Sequence, residues 1–162
     1  MSRPARIAAL FVMDHAAGKE ISVDGLSVVL TSVSSDSHTW NLVVLQLLLE
    51  ELGHQVRNLG ACVPDDLMVS ECLRLRPDLI VVSTVNGHGF HDGLRLIGQV
   101  RNQPELAGTP MVIGGKLGIS GPGSERSRSQ LKAAGYGAVF EDGTGLTAFR
   151  SYVGRLTTGR AS

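Results

Sequence analysis

An alternation most constrains this chain. From residue 26 onward, short apolar runs rich in Val and Ile are separated by longer amphipathic stretches, the pattern of parallel strands joined by crossover helices. The runs 26–33, 55–59, 79–84, 111–113 and 138–140 are too short for helices and apolar enough for a sheet covered on both faces. Between them, 40–52, 64–75, 92–102, 125–134 and 146–156 are predicted helices. Pro64 suits a first helical position, with Asp65 and Asp66 at the positive dipole end. Asp92 suits an N-cap, and Gly53 and Gly135 suit C-terminal stops. Leu42, Leu45, Leu49 and Leu52 share one face of the first helix, widened by Val43, Val44 and Leu47, so this helix is expected to be buried, with Trp40 as a core anchor.

Five such units make an α/β fold, a doubly wound five-stranded parallel sheet of the flavodoxin-like (Rossmann-like) type. One domain over 26–162 is expected, with 1–25 as an N-terminal extension outside the repeat. Ligands of such sheets bind beyond the C-terminal strand ends, which selects the loops 34–39, 60–63, 85–91, 114–124 and 141–145.

Charge narrows the partners. Fifteen basic and fifteen acidic residues cancel, leaving no overall field to steer the protein onto nucleic acid or an anionic membrane. Cys62 and Cys72 are too few for a disulfide framework and match no common zinc spacing, so both are expected to be reduced, buried fillers. The apolar run 7–13 is broken at Asp14-His15, too short for a signal or a membrane span, and a cytoplasmic location is expected.

The most polar post-strand loop holds Ser34, Ser35, Asp36, Ser37 and His38 consecutively. A His two residues after an Asp can bind a metal through one ring nitrogen while the other donates to the carboxylate, which fixes the tautomer. The alternative is an Asx-turn beside a surface histidine. One such ligand supports no bare zinc site. His88 and His91 lie in a Gly-rich loop and fit a solvated or partner-facing rim better than metal ligation. Gly114-Gly115-Lys116-Leu117-Gly118 does not complete a phosphate-loop or dinucleotide fingerprint, and no Gly-x-Ser-x-Gly elbow occurs.

The spacing Asp36-x-His38-x-x-Asn41 resembles the Asp-x-His-x-x-Gly signature of cobalamin-binding domains, with Asn41 where the family usually has Gly. Ser83-Thr84-Val85 is similar to the family's Ser-x-Leu, and Gly114-Gly115 to its Gly-Gly pair. Ser35-Asp36-Ser37-His38, Asn58-Leu59-Gly60, the run from Val82 to Gly89, and Gly143-Thr144 resemble the small cobalamin-binding subunits of glutamate mutase (methylaspartate mutase) in particular. That resemblance spans about residues 26 to 156. It implies His38 as the lower ligand to cobalt, displacing the cofactor's own dimethylbenzimidazole, with Asp36 and Ser37 beside it. It further implies that Asn41, Ser83, Val85, Gly114, Gly115, Gly143 and Thr144 surround the displaced nucleotide tail. The cofactor implied is adenosylcobalamin. The partner implied is a larger catalytic barrel subunit holding glutamate or a related amino acid, since such a barrel typically takes about 250 residues. The alternatives are a methyl-carrying corrinoid protein, a non-catalytic cobalamin sensor, and a flavodoxin-like domain that has lost its cofactor.

Overall fold

The computed structural model describes residues 25–119, 121–141 and 145–160. The N-terminal extension up to residue 24 and the candidate residues Gly143 and Thr144 lie outside the described residues. Strands β1 (Ser27–Thr31), β2 (Gln55–Asn58), β3 (Leu79–Thr84), β4 (Met111–Gly115) and β5 (Ala138–Glu141) alternate with helices α1 (Trp40–Glu51), α2 (Asp65–Leu75), α3 (Gly89–Arg101), α4 (Ser124–Ala134) and α5 (Gly145–Arg160). All four strand pairings are parallel, in the order β2-β1-β3-β4-β5. This is the five-stranded doubly wound sheet that the alternation predicts.

Strand periodicity divides the core in two. Val28, Leu30, Leu79, Val81 and Val112 face α1 and α5, where they meet Leu42, Leu49, Phe149 and Val153. Val29, Ile80, Val82, Met111 and Ile113 face the other way, onto Met68, Cys72, Leu96, Ile97 and Leu131 of α2, α3 and α4. Each such fully buried aliphatic side chain stabilises the fold by about 2 kcal/mol relative to exposure. Because α1 covers one face and α2 the other, the chain reverses direction of travel between β1 and β3. That reversal opens a crevice beyond their C-terminal ends.

Four details depart from expectation. First, α3 begins at Gly89 rather than after Asp92, because the Phe90 N–H is tied to Leu117 O (3.1 Å) and the helical bond from Asp92 N–H already runs to His88 O (3.2 Å). Asp92 is therefore inside the first turn, and its carboxylate is free for side-chain partners. Second, Gly114 and Gly115 are not loop residues. They end β4, paired with Ser83 and Thr84 on one side and Phe140 and Glu141 on the other.

Third, α1 is apolar nearly all round, yet only Leu42, Leu48 and Leu49 are buried, with Leu45 packed partly against the same core and Leu52 exposed just past the helix end. Val43, Val44 and Leu47 stay exposed, and Trp40, in the first turn of the helix, is 76% exposed rather than a core anchor. Fourth, Cys72 is buried, where desolvation raises its thiol to about 12, but Cys62 is exposed at φ 51 in the loop after β2. Among the described residues, no helix is long and apolar enough to cross a membrane.

Gly115 shows how tightly the strand ends are built. Its φ is +107, and a Cβ there would sit 2.1 Å from the Thr84 carbonyl oxygen, which itself accepts the Lys116 N–H at 2.8 Å. Gly115→Ala is expected to lose about 1–3 kcal/mol from the positive φ and the displaced backbone. A urea midpoint unchanged from wild type would contradict this.

Candidate functional site

The crevice is organised by one buried carboxylate. After β1 the chain turns, with Asp36 N–H on Val33 O (3.1 Å), and Asp36 O accepts Cys62 N–H (2.8 Å) from the loop after β2. The Asp36 side chain, fully buried, points at the end of β3. There Oδ2 accepts both Thr84 Oγ1 (2.7 Å) and the Val85 N–H (2.7 Å). Oδ1 accepts the His38 N–H (3.0 Å) and lies 2.6 Å from His38 Nδ1. Burial alone would raise this carboxyl, but these hydrogen bonds outweigh it and hold Asp36 down at about 2. It is ionised at neutral pH.

An ionised carboxylate can only accept, so the Asp36 contact places a ring proton on Nδ1, and in the neutral tautomer with that proton Nε2 carries the lone pair. His38 is 59% exposed, and no protein donor among the described residues engages Nε2. An imidazole oriented through one ring nitrogen by a carboxylate is how proteins commonly present the other nitrogen to a metal. Among the described residues, no three His, Cys, Asp or Glu gather to hold a bare ion.

A polar rim braces this loop. Asn86 donates to Ser35 Oγ (2.8 Å) and accepts the His88 N–H (2.9 Å), while Ser35 donates to Asp92. Arg95 binds Asp92 (2.7 Å), Asp65 (2.6 Å) and Ser34 Oγ (3.0 Å), joining α2, α3 and the β1 loop. Burial would raise the Asp92 carboxyl, but Ser35 and Arg95 lower it overall.

Beside the crevice, on the α1 and α5 face, lies an apolar slot of about 240 Å³. Val44, Val81, Val112, Phe140 and Phe149 wall it, and Ser83, which is buried, and Asn41 supply its polar corner. Asn41 Nδ2 donates to Ser83 Oγ at 2.8 Å. Asn41 Oδ1 is buried with no hydrogen-bond partner among the described residues. Thr39, not Asn41, occupies the N-cap position of α1, and no side chain caps that helix.

The ten candidate residues thus sort by place. Asp36 and His38 form a hydrogen-bonded pair, and Asn41, Ser83, Val85, Gly114 and Gly115 line the slot. Val85 joins the two, with its N–H on Asp36 and its side chain in the slot wall. Ser37 is exposed and belongs to neither. Gly143 and Thr144 lie outside the described residues, although Glu141 and Gly145 on either side line the slot. Sequence reasoning missed Thr84 as the second anchor of Asp36. Strand alternation could have found it, because Ser83 toward the α1 face puts its neighbour on the other side. Phe140 and Phe149 were legible only as core.

The same architecture recurs in known proteins. The signal receiver domain of a DNA-binding response regulator from Colwellia psychrerythraea superposes with a TM-score of 0.59 at 16% identity, covering 82% of this chain and 98% of that one. A cobalamin-binding protein from Desulfitobacterium hafniense gives a TM-score of 0.59 at 19% identity, over 72% of this chain and 53% of that longer one. At such identities these establish the fold alone. Sequence discriminates further. The glutamate mutase sigma subunit of Fusobacterium nucleatum is 30% identical over 119 residues, 72% of this chain and 85% of that subunit. The profile of the B12 binding domain matches residues 26–143, a span holding both the Asp36–His38 pair and the slot. The chain therefore belongs to the B12 binding domain family, and its place within it is among the glutamate mutase sigma subunits.

Proposed function

We propose that this chain is the cobalamin-binding small subunit of a carbon-skeleton mutase acting on glutamate or a related amino acid. The observation that carries the reading is His38, an exposed side chain whose Nδ1 contacts a buried, ionised Asp36, on the same strand-end side of the sheet as an apolar slot. In this reading His38 would be the residue that ligates cobalt, and Asp36 would set its tautomer and basicity. Thr84 and the Val85 N–H hold Asp36 in place. The slot takes the displaced nucleotide tail, with Ser83 as a hydrogen-bonding group for its base.

The residues fit that group on two counts. The slot's walls are apolar and aromatic, suited to a planar heteroaromatic base, and Ser83 and Asn41 supply its polar corner. Gly114 keeps the strand end low, since a Cβ there would meet the Phe140 backbone oxygen at 2.9 Å. Bound adenosylcobalamin supplies a cobalt–carbon bond whose homolysis starts radical chemistry, and the protein's part is ligation and orientation. A substrate-holding partner subunit is supported by the relative's description as a sigma subunit, and by the exposed Trp40, Val43, Val44 and Leu47 beside the ligand loop.

The test is titration of the full chain with adenosylcobalamin. The corrin spectrum is expected to change from base-on to base-off with imidazole ligation, saturating at one equivalent. Trp40, the chain's only tryptophan, lies two residues from His38 and is exposed, so its emission is expected to be quenched in the same titration. A corrin spectrum that stays base-on at saturation would overturn the proposal.

A further inference from the structure

We infer that Arg95 and Asp92 are positioning residues for His38. Their ion pair grips the loop after β1 at Ser34 and Ser35 and, together with the Asp36 anchor, fixes the direction in which the imidazole is presented. This rests on the cobalamin-binding reading and adds to that site two residues outside the motifs that carry the family resemblance.

Asp36 ties the loop to the end of β3 through Thr84 Oγ1 and the Val85 N–H, and to the loop after β2 through its own carbonyl oxygen. Those ties act at one residue, about which a short loop can still pivot. The pivot is closed just before it. Among the described residues, Ser34 and Ser35 make no backbone hydrogen bond, and both are held by their side chains. Arg95 Nη2 donates to Ser34 Oγ (3.0 Å), and Ser35 Oγ donates to Asp92 Oδ2.

These bonds have a fixed direction. Asp92 accepts Arg95 Nη1 on Oδ1 (2.7 Å) and Ser35 on Oδ2, and an ionised carboxylate has nothing to donate, so the Ser35 proton lies toward Asp92. The Ser35 lone pairs then face Asn86, whose Nδ2 donates to them at 2.8 Å and whose Oδ1 accepts the His88 N–H at 2.9 Å. A backbone amide can only donate, so the Asn86 orientation agrees with the direction that Asp92 imposes. The ion pair thus sets the polarity of the bonds joining α3, the β1 loop and the β3 loop.

Arg95 is held in turn by Asp65, the first residue of α2, with Nε 2.6 Å from Oδ2. Reaching Asp65, Asp92 and Ser34 together uses the fork of the guanidinium, which the single nitrogen of a lysine does not reproduce. An ion pair in open solvent contributes little, but these two carboxylates are only 9% and 13% exposed. The clamp is therefore fastened to two packed helices.

The experiment uses Arg95→Ala and Ser35→Ala, with Ser35→Thr as the variant that keeps the hydroxyl. Arg74→Ala is the control, because it removes an exposed ion pair with Glu71 elsewhere on α2. In the free chain at about pH 8, where an ordinary imidazole is neutral, nitrogen NMR of the His38 ring reads its tautomer. Wild type, Ser35→Thr and Arg74→Ala are expected to keep the proton on Nδ1. Arg95→Ala and Ser35→Ala are expected to show a mixture with the Nε2–H form. Both should also bind adenosylcobalamin about tenfold more weakly in equilibrium dialysis, the lower end of the loss expected when support for a metal ligand is removed. A mixed tautomer in wild type, an unchanged tautomer or affinity in Arg95→Ala, or an equal change in Arg74→Ala would overturn the inference. A lower urea midpoint in Arg95→Ala with wild-type tautomer and affinity would also overturn it, since the pair would then be structural only. If cobalamin stays base-on with saturating wild type, the cobalamin reading fails, and the tautomer comparison in the free chain alone decides the inference.

Discussion

His38→Ala is expected to weaken cobalamin binding by at least about a hundredfold, and any corrin bound at high concentration should keep its base-on spectrum. Losing a residue that merely orients a metal ligand typically costs 10–100-fold, so losing the ligand sets that range as a floor. The fold should be indifferent. His38 is largely exposed and Asp36 keeps Thr84 Oγ1, the Val85 N–H and the His38 N–H as donors, so the urea midpoint should correspond to a change within about 0.5 kcal/mol. Added free imidazole should partly restore the base-off spectrum in the variant. Wild-type affinity and spectrum in His38→Ala would mean that cobalt is not ligated here.

The fold was legible because it follows from periodicity. Five apolar runs too short for helices and five amphipathic stretches admit few packings other than a covered parallel sheet, and the observed order obeys that logic. What periodicity does not encode is which side of an all-apolar helix meets the sheet. Trp40, Val43, Val44 and Leu47 therefore read as core although they lie on the surface. Asp92 reads as a cap because its spacing suits one. The contact between Phe90 and Leu117, 27 residues away, decides otherwise, and no local pattern carries it. At the site, Asp36 and His38 are two residues apart and their pairing is visible in the sequence. Thr84 is 48 residues from Asp36 and becomes its partner only when β1 and β3 are neighbours. Asn41 stood out as a departure from a family pattern, but its bond to Ser83 depends on α1 crossing the end of β3.

Asp36 couples the site to stability, which gives the second large effect. Its carboxyl is held at about 2 in the folded protein against an ordinary 3.8. A group with a depressed folded value contributes stability that is fully present above its unfolded value and is lost as pH falls through the folded one. The window therefore runs from about pH 4 down to about pH 2. A shift of this size corresponds to about 2 kcal/mol, of which the His38 ring, the last of the lowering causes, carries only a part. Asp36→Ala is expected to destabilise the protein by about 2–4 kcal/mol at pH 7, because Thr84 Oγ1 and the Val85 N–H lose their acceptor in a buried place. Thr84 can turn to Asn86 Oδ1, at 3.2 Å, which moderates the loss; the Val85 amide has no such alternative among its hydrogen bonds. Asp36→Asn keeps the shape but must aim an N–H at existing donors, so it should fall between wild type and Asp36→Ala. Urea midpoints from pH 7 to pH 2 decide the matter. Wild type should lose the Asp36 contribution on acidification, and both variants should show an acid limb shallower by about that amount. Acid limbs parallel to wild type would show that Asp36 is not held as an ionised acceptor. At neutral pH, Asp36→Asn should also weaken cobalamin binding by about 10–100-fold, because the imidazole loses the carboxylate that fixes its proton on Nδ1.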